Sequence, residues 1–325
     1  MPKKSVIVTG GAGYIGSATC HFLSEQGFHP VVIDDLSTGF EDNVRWGPLY
    51  KGCFSDESLL KEIVLKHEPV AVLHFAAKAY VSESMRIPIT YLENNFSKSI
   101  ALLGHMISLG VDKMVFSSSC ATYGMPRGEL INENDPLDPI NPYGLSKKVM
   151  EETLTSLTSL GLVSHVSLRY FNAAGAIPDL GIGERHKPET HALPLAVKAS
   201  LTGEEFSIYG DDYETPDGTA IRDFVHVSDL ARAHVLALQH LLENKPSLAL
   251  NLGTGEGTSI REILDTLAKL GHHVKSKAAP KRPGDPPRLV ADASLALDRL
   301  CWSAEKSGIA EIIENELEWQ RSGEL

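Results

Sequence analysis

The chain has 325 residues, 42% hydrophobic and 22% charged, enough for one large or two modest domains around a real core. Its net charge of −12 lends no electrostatic support to a nucleic-acid role. The start, Met-Pro-Lys-Lys, leads into no long apolar segment, so neither a signal peptide nor a membrane span is expected.

In chain order, Val6-Ile-Val8 is a short β-branched run that predicts a buried strand. Gly10, Gly13 and Gly16 follow at a spacing of GxxGxxG, and 17–24 reads as a helix with Ile15, Cys20 and Leu23 toward the core. In such a strand–turn–helix unit the first glycine makes the turn and the second admits a pyrophosphate to the backbone. The third lets the helix lie close, with its N-terminus facing the phosphates. A second strand ends at Asp34-Asp35, which places a carboxylate where it can hold a ribose 2′-hydroxyl. A 2′-phosphate is repelled there, so NAD is favoured over NADP.

Further strands are expected at 30–33, 70–75, 113–117 and 163–168, with helices at 56–66, 90–109 and 143–160 between them. This alternation predicts an α/β fold, a doubly wound parallel sheet of the Rossmann type. From Phe171 the character changes. The stretch 172–194 is rich in Gly, Pro and His, and 209–219 is acidic and turn-prone. A helix is expected at 227–242, capped by Ser228 or Asp229, and 248–252 is expected to return to the large sheet. The expected division is a dinucleotide-binding domain over 1–170, with the later strand 248–252, and a smaller interwoven substrate domain mainly over 171–325.

Two constellations carry chemistry. Tyr143 and Lys147 in Asn-Pro-Tyr-Gly-Leu-Ser-Lys are four apart, so they share a helix face. A free tyrosine, with a pKa near ~10, is a poor base at neutral pH, but a neighbouring ammonium and a positive nicotinamide ring favour its phenolate. Serines close the strand Met114-Val-Phe-Ser-Ser-Ser119, where they can orient a substrate oxygen. Cys20, Cys53, Cys120 and Cys301 form no CxxC pair, which suits a reducing, cytoplasmic setting. The thirteen histidines show no HExxH spacing, so no metal site is expected.

The glycine string, Phe116-Ser-Ser-Ser119 and Tyr143-x-x-x-Lys147 resemble the extended short-chain dehydrogenase/reductases. More specific strings are His74-Phe-Ala-Ala77, Glu93-Asn-Asn95, Arg169-Tyr-Phe-Asn172, Asp212-Tyr-Glu-Thr-Pro-Asp-Gly-Thr219, Arg222-Asp223 and Arg282-Pro-Gly-Asp285. With them the resemblance narrows to the UDP-glucose 4-epimerase branch and covers residues 5 to about 292. It implies Tyr143 as acid/base, Lys147 as its tuner and ribose ligand, and Ser119 as the partner of the sugar O4. For NAD it implies Gly10, Gly13, Tyr14, Ile15, Gly16, Asp34, Phe75, Ala76, Asn94, Ser117, Tyr143, Lys147 and Tyr170. For the UDP-sugar it implies Ser119, Tyr143, Asn172, Tyr209, Arg222, Arg282 and Asp285. It also implies a homodimer built on the helices expected at 90–109 and 143–160.

The chain departs from that pattern at Cys53, where many members carry an acid for the adenine amine, and at Ala79, where some carry a lysine. Lys78, one residue away, is given no such role. Related dehydratases carry an Asp-Glu pair after the Ser/Thr, and a decarboxylase keeps a Glu nearby. Here Cys120-Ala-Thr122 stand in their place. Return of the same hydride, with C4 inverted and NAD retained, is therefore the expected course. A pentose version acting on UDP-xylose and UDP-arabinose, and a non-catalytic NAD-binding protein, are the alternatives. Leu289, of middling size near the sugar, leaves N-acetylated substrates open.

Overall fold

A computed structural model of the protein describes residues 3–282 and 284–323. Pro283, inside the Arg282–Asp285 string, lies outside them, as do the extreme ends of the expected domains.

Seven strands form one sheet in the spatial order Leu248–Leu252, Ser164–Tyr170, Lys113–Ser119, Val72–His74, Ser5–Thr9, His29–Asp34, Leu49–Lys51. Every neighbouring pair runs parallel. The chain starts in the middle, builds to one edge, then returns to build the other. The direction reverses between Ser5–Thr9 and Val72–His74, and a ligand crevice opens at such a switch point.

The strands read as continuous apolar runs because both faces are covered. Val6, Val8, Val32, Leu73 and Val115 join one buried cluster. Ile7, Val31, Ile33, Val72, Met114 and Phe116 alternate into the other. Helices Tyr14–Glu25 and Val227–Leu242 cover the first face with Cys20, Leu23, Leu230, Leu238 and Leu241. Helices Glu57–His67, Lys98–Ser108 and Pro142–Ser159 cover the second with Leu60, Ile63, Leu102, Met106, Met150 and Leu154. A third cluster joins helices Ala192–Thr202, Ile260–Lys269 and Ile309–Ser322 to the strands Glu205–Tyr209 and Phe224–His226.

Four local expectations are corrected. The single helix expected over 90–109 is two, Pro88–Leu92 and Lys98–Ser108, joined by a π-helical turn at Glu93–Ser97. Within that turn Asn95 bonds the Lys78 main chain through both amide atoms, and the Ser146 hydroxyl. The turn thus aims a buried amide at a loop rather than continuing the helix. The cap of Val227–Leu242 is His226, whose Nδ1 accepts from the Ser228 amide, because Ser228 and Asp229 already lie inside the helix. Strand Leu49–Lys51 was missed, since three partly exposed residues carry too little periodicity. Helix Ala192–Thr202 was missed because the preceding Gly/Pro/His stretch masks its start. No helix among the described residues is long and apolar enough to cross a membrane, and the four cysteines are free.

Candidate active site

The three glycines meet three different demands. Gly10 sits at φ +74, and a Cβ there meets Ala76 N at 2.7 Å, across the switch point. A Cβ on Gly16 would lie 2.2 Å from Gly10 O, so this glycine lets the helix close on the turn. A Cβ on Gly13 would meet only Gly10 O, at 3.3 Å. The protein itself asks little of Gly13, and its bareness leaves the backbone open to a ligand. Helix Tyr14–Glu25 has no side-chain cap and no acidic residue in its first turn, so its N-terminal amides stay available to an anion.

At the neighbouring strand end, Asp34 accepts from Ala12 N (3.0 Å) and Leu36 N (2.9 Å). Burial pushes its carboxyl up, and these amides pull it back. A carboxylate accepts about four bonds, so capacity remains for a hydroxyl. These residues fit a dinucleotide. The Tyr14 hydroxyl, by contrast, donates to the Gly175 carbonyl, while Ile15 and Phe75 pack on the core cluster. The side chains of these three are thus engaged within the protein. Asn94 donates to the Asn95 side chain at 3.1 Å. Cys53 is partly buried and lies 3.1 Å from the Ser55 hydroxyl.

Tyr143, Lys147 and Ser119 come together from helix Pro142–Ser159 and the end of Lys113–Ser119. The helix starts where Asn141 caps it through Gly144 N at 2.8 Å, with Pro142 in the first turn. Lys147 Nζ donates to Ser117 O at 2.7 Å and stands 5.9 Å from the centre of the Tyr143 ring. Ser119 hydrogen-bonds the Tyr143 side chain, and Ser117 bonds the Tyr170 hydroxyl. Burial, then Tyr170, hold the Tyr143 phenol well above its usual range, which the Ser119 bond only partly offsets. Burial pushes Lys147 down to about 7, against the pull of Glu151. The expected tuning of Tyr143 by a neighbouring ammonium is thus outweighed here by desolvation of both groups.

The sequence reading missed the support beneath this trio. Glu151 is a further four residues along the same helix face. It takes Arg169 Nε at 3.0 Å and Nη2 at 2.5 Å, and accepts from Ser118. Arg169 also donates to the Tyr123 hydroxyl (2.8 Å), which donates to Asn251 (2.7 Å).

Across the crevice, Arg222 pairs with Asp285 at 2.5 Å, and Arg282 lies over the Tyr209 ring at 4.1 Å. The Arg222 charge reaches Cys120, the residue after Ser119. Leu289 pairs in register with Arg222 and packs with Cys120, Tyr123 and Phe171. Asn172 opens a short strand beside Phe224–His226. Asp223, fully buried, accepts from Thr254 N (2.9 Å), Thr254 Oγ1 (2.7 Å), Gly255 N (3.3 Å) and Ala291 N (3.1 Å). It too was missed, although it directly follows Arg222.

Residues 6–253 match the model of the NAD dependent epimerase/dehydratase family. The chain belongs to that family. A UDP-glucose 4-epimerase of Rhizobium leguminosarum bv. trifolii is 44% identical over 321 residues, 98% of each chain. A structure of UDP-glucose 4-epimerase from Brucella ovis in complex with NAD is 47% identical, covers 97% of each chain and superposes with a TM-score of 0.93. A structure of UDP-glucose-4-epimerase from Stenotrophomonas maltophila with bound NAD and formylated UDP-arabinopyranose is 38% identical, covers 98% of each chain and superposes with a TM-score of 0.95.

Proposed function

We propose that the chain interconverts UDP-glucose and UDP-galactose by inverting C4 through a 4-keto sugar, with NAD tightly retained. The observation that carries this reading is the Tyr143–Ser119–Lys147 trio without a second acid/base beside it. The position after Ser119 holds Cys120, a buried thiol pushed up to about 12, followed by Ala121 and Thr122. The carboxylate of Glu151 is occupied by Arg169 and Ser118. Among the described residues next to Ser119, loss of water or carbon dioxide therefore finds no free carboxylate to assist it.

In this reading Gly10, Gly13, Gly16 and Asp34 hold the dinucleotide, joined by Ala76, Asn94, Ser117 and Tyr170 and by the main chain of Tyr14, Ile15 and Phe75. Bound NAD supplies the nicotinamide ring that takes a hydride from C4 and gives it back, and its positive charge favours the phenolate of Tyr143. Tyr143 accepts the O4 proton and later returns it, and Ser119 holds that oxygen. Lys147 holds the nicotinamide ribose. Arg222 and Arg282 grip the diphosphate with their forks, which suit its paired oxygens. Asp285 accepts from ribose hydroxyls, and Asn172 and Tyr209 complete the UDP subsite. Held by its diphosphate, the keto sugar turns over between the two proton transfers, so its other face is reduced. Residues 1–170 with Leu248–Leu252 then serve the cofactor, and 171–325 mainly the UDP-sugar. A homodimer on helices Pro88–Leu92, Lys98–Ser108 and Pro142–Ser159 belongs to the same reading; Ile89 and Leu145 stand exposed on them.

The test is NMR of UDP-galactose with the purified protein and no added NAD, with UDP-xylose in a parallel sample. UDP-glucose is expected to appear. Conversion of the pentose alone would move the substrate, and stoichiometric release of NADH would overturn retention.

A further inference from the structure

No residue of 212–219 takes part in the reaction proposed above, although Tyr209 and Arg222 flank that string. The fold nevertheless ties it down. Tyr213 N donates to Gly218 O at 2.9 Å, and Thr215 Oγ1 to Thr219 O at 2.7 Å. Asp217 accepts from Thr219 N and Thr219 Oγ1, both at 2.8 Å, and from the Ser259 hydroxyl. This tie fixes where the Tyr213 ring lies. The ring crosses Gly210, at φ +85, where a Cβ would come within 2.4 Å of it. Lys281 Nζ stands 4.6 Å from the ring centre and is itself held by Asp212 at 2.9 Å. Lys281 directly precedes Arg282, so the ring packs against the segment that carries Arg282 and Asp285.

The tip of this ring is unsatisfied. The Tyr213 hydroxyl oxygen is buried and has no hydrogen-bond partner among the described residues. A group left in that state costs stability until something supplies a partner. Its surroundings are charged. Burial, then Asp285, push the phenol up, against the pull of Arg222 and Lys281. The hydroxyl therefore keeps its proton at neutral pH and has a bond to donate. Asp285 is joined to Arg222 at 2.5 Å, and the hydroxyl makes no bond to either.

We infer that Tyr213 is a further substrate-binding residue, whose hydroxyl donates to an oxygen of the diphosphate beside Arg222. The inference rests on the UDP-sugar reading given above. A diphosphate is rich in anionic acceptors, and a bond from a neutral donor to a charged acceptor is about twice as strong as one between neutral groups. Its arrival draws Arg222 away from Asp285, leaves Asp285 to the ribose and gives the Tyr213 hydroxyl the acceptor it lacks. An unsatisfied donor in the free protein that is satisfied in the complex favours the complex from both sides.

The experiment compares the NAD-loaded protein with Tyr213→Phe, which keeps the ring on Gly210 and removes only the hydroxyl. Calorimetry is expected to show UDP bound about 10–100-fold more weakly by the variant, the span of a lost bond to a charged group. Without UDP the variant is expected to melt at the parent's temperature or above, because an unsatisfied group has gone, and its rise in Tm on adding UDP is expected to be smaller. A variant that melts lower but gains as much from UDP overturns the inference and makes the hydroxyl structural. Uridine, which keeps base and ribose but no phosphate, should bind both proteins alike; a loss as large as that for UDP would move the bond to the ribose and overturn the assignment to the diphosphate. UDP failing to bind the parent would overturn the UDP-sugar reading itself, whereas equal binding to parent and variant overturns the role of Tyr213 alone.

Discussion

The ammonium of Lys147 donates to the Ser117 carbonyl in surroundings that strip it of water, and this loss pushes it down to about 7. The unfolded chain, with a lysine near ~10.4, binds more protons between those values, so this group makes stability rise with pH across that window. Lys147→Met should therefore gain stability relative to the parent as pH falls from about 10 to about 7. Urea melts of both proteins at several pH values check this, and a difference independent of pH would show that Lys147 is not desolvated. At the same scale, the phenol of Tyr143 is held up by burial and eased by Ser119. Tyr143→Phe should keep the fold and NAD and lose about 10²–10⁴-fold in kcat, the usual span for removing an acid/base. Near-normal turnover would take Tyr143 out of the mechanism.

Helix Pro142–Ser159 is the element on which the trio depends. Tyr143, Lys147 and Glu151 recur every four residues, so one face carries the proposed acid/base, its proposed tuner and the anchor beneath them. The anchor is the buried pair of Glu151 and Arg169, the latter on strand Ser164–Tyr170. Removing one partner leaves the other charged and unpaired in the interior. Arg169→Met should cost about 3–5 kcal/mol, while Glu151→Gln/Arg169→Met should cost less than the sum of its single changes. Thermal or urea melts of the three variants measure this, and additive losses would mean that the two side chains do not act as a pair. Glu151 was legible in the four-residue step, once that face was known to turn inward. The π-helical turn at Glu93–Ser97 was not legible, because its purpose is the contact of Asn95 with a distant loop.

At the scale of the molecule, segments far apart in sequence meet around Arg222 and Asp223. Asp223 joins them by accepting from Thr254, Gly255 and Ala291 while its neighbour Arg222 faces the crevice beside Asp285. Asp223→Ala should leave two loops untethered. The expected result is a raised KM for the UDP-sugar with NAD content preserved, since the bonds of Asp223 run to Thr254, Gly255 and Ala291 and not to the glycine turn. Steady-state kinetics with cofactor quantified by absorbance decide it, and an unchanged KM would make the tether purely structural.

The sequence by itself determined the parallel sheet, because short β-branched runs alternating with helical periodicity leave few other arrangements. It also determined the glycine turn, the acid at the second strand's end and the Tyr143/Lys147 pair, since each rests on spacing within one or two adjacent elements. The tertiary structure decided what depends on residues far apart in the chain: the pairing of Arg222 with Asp285, the stacking of Arg282 on Tyr209 and the Glu151–Arg169 anchor. It also decided the protonation balance of Tyr143 and Lys147, because desolvation is set by how many atoms the rest of the fold packs around them, and no local pattern records that number.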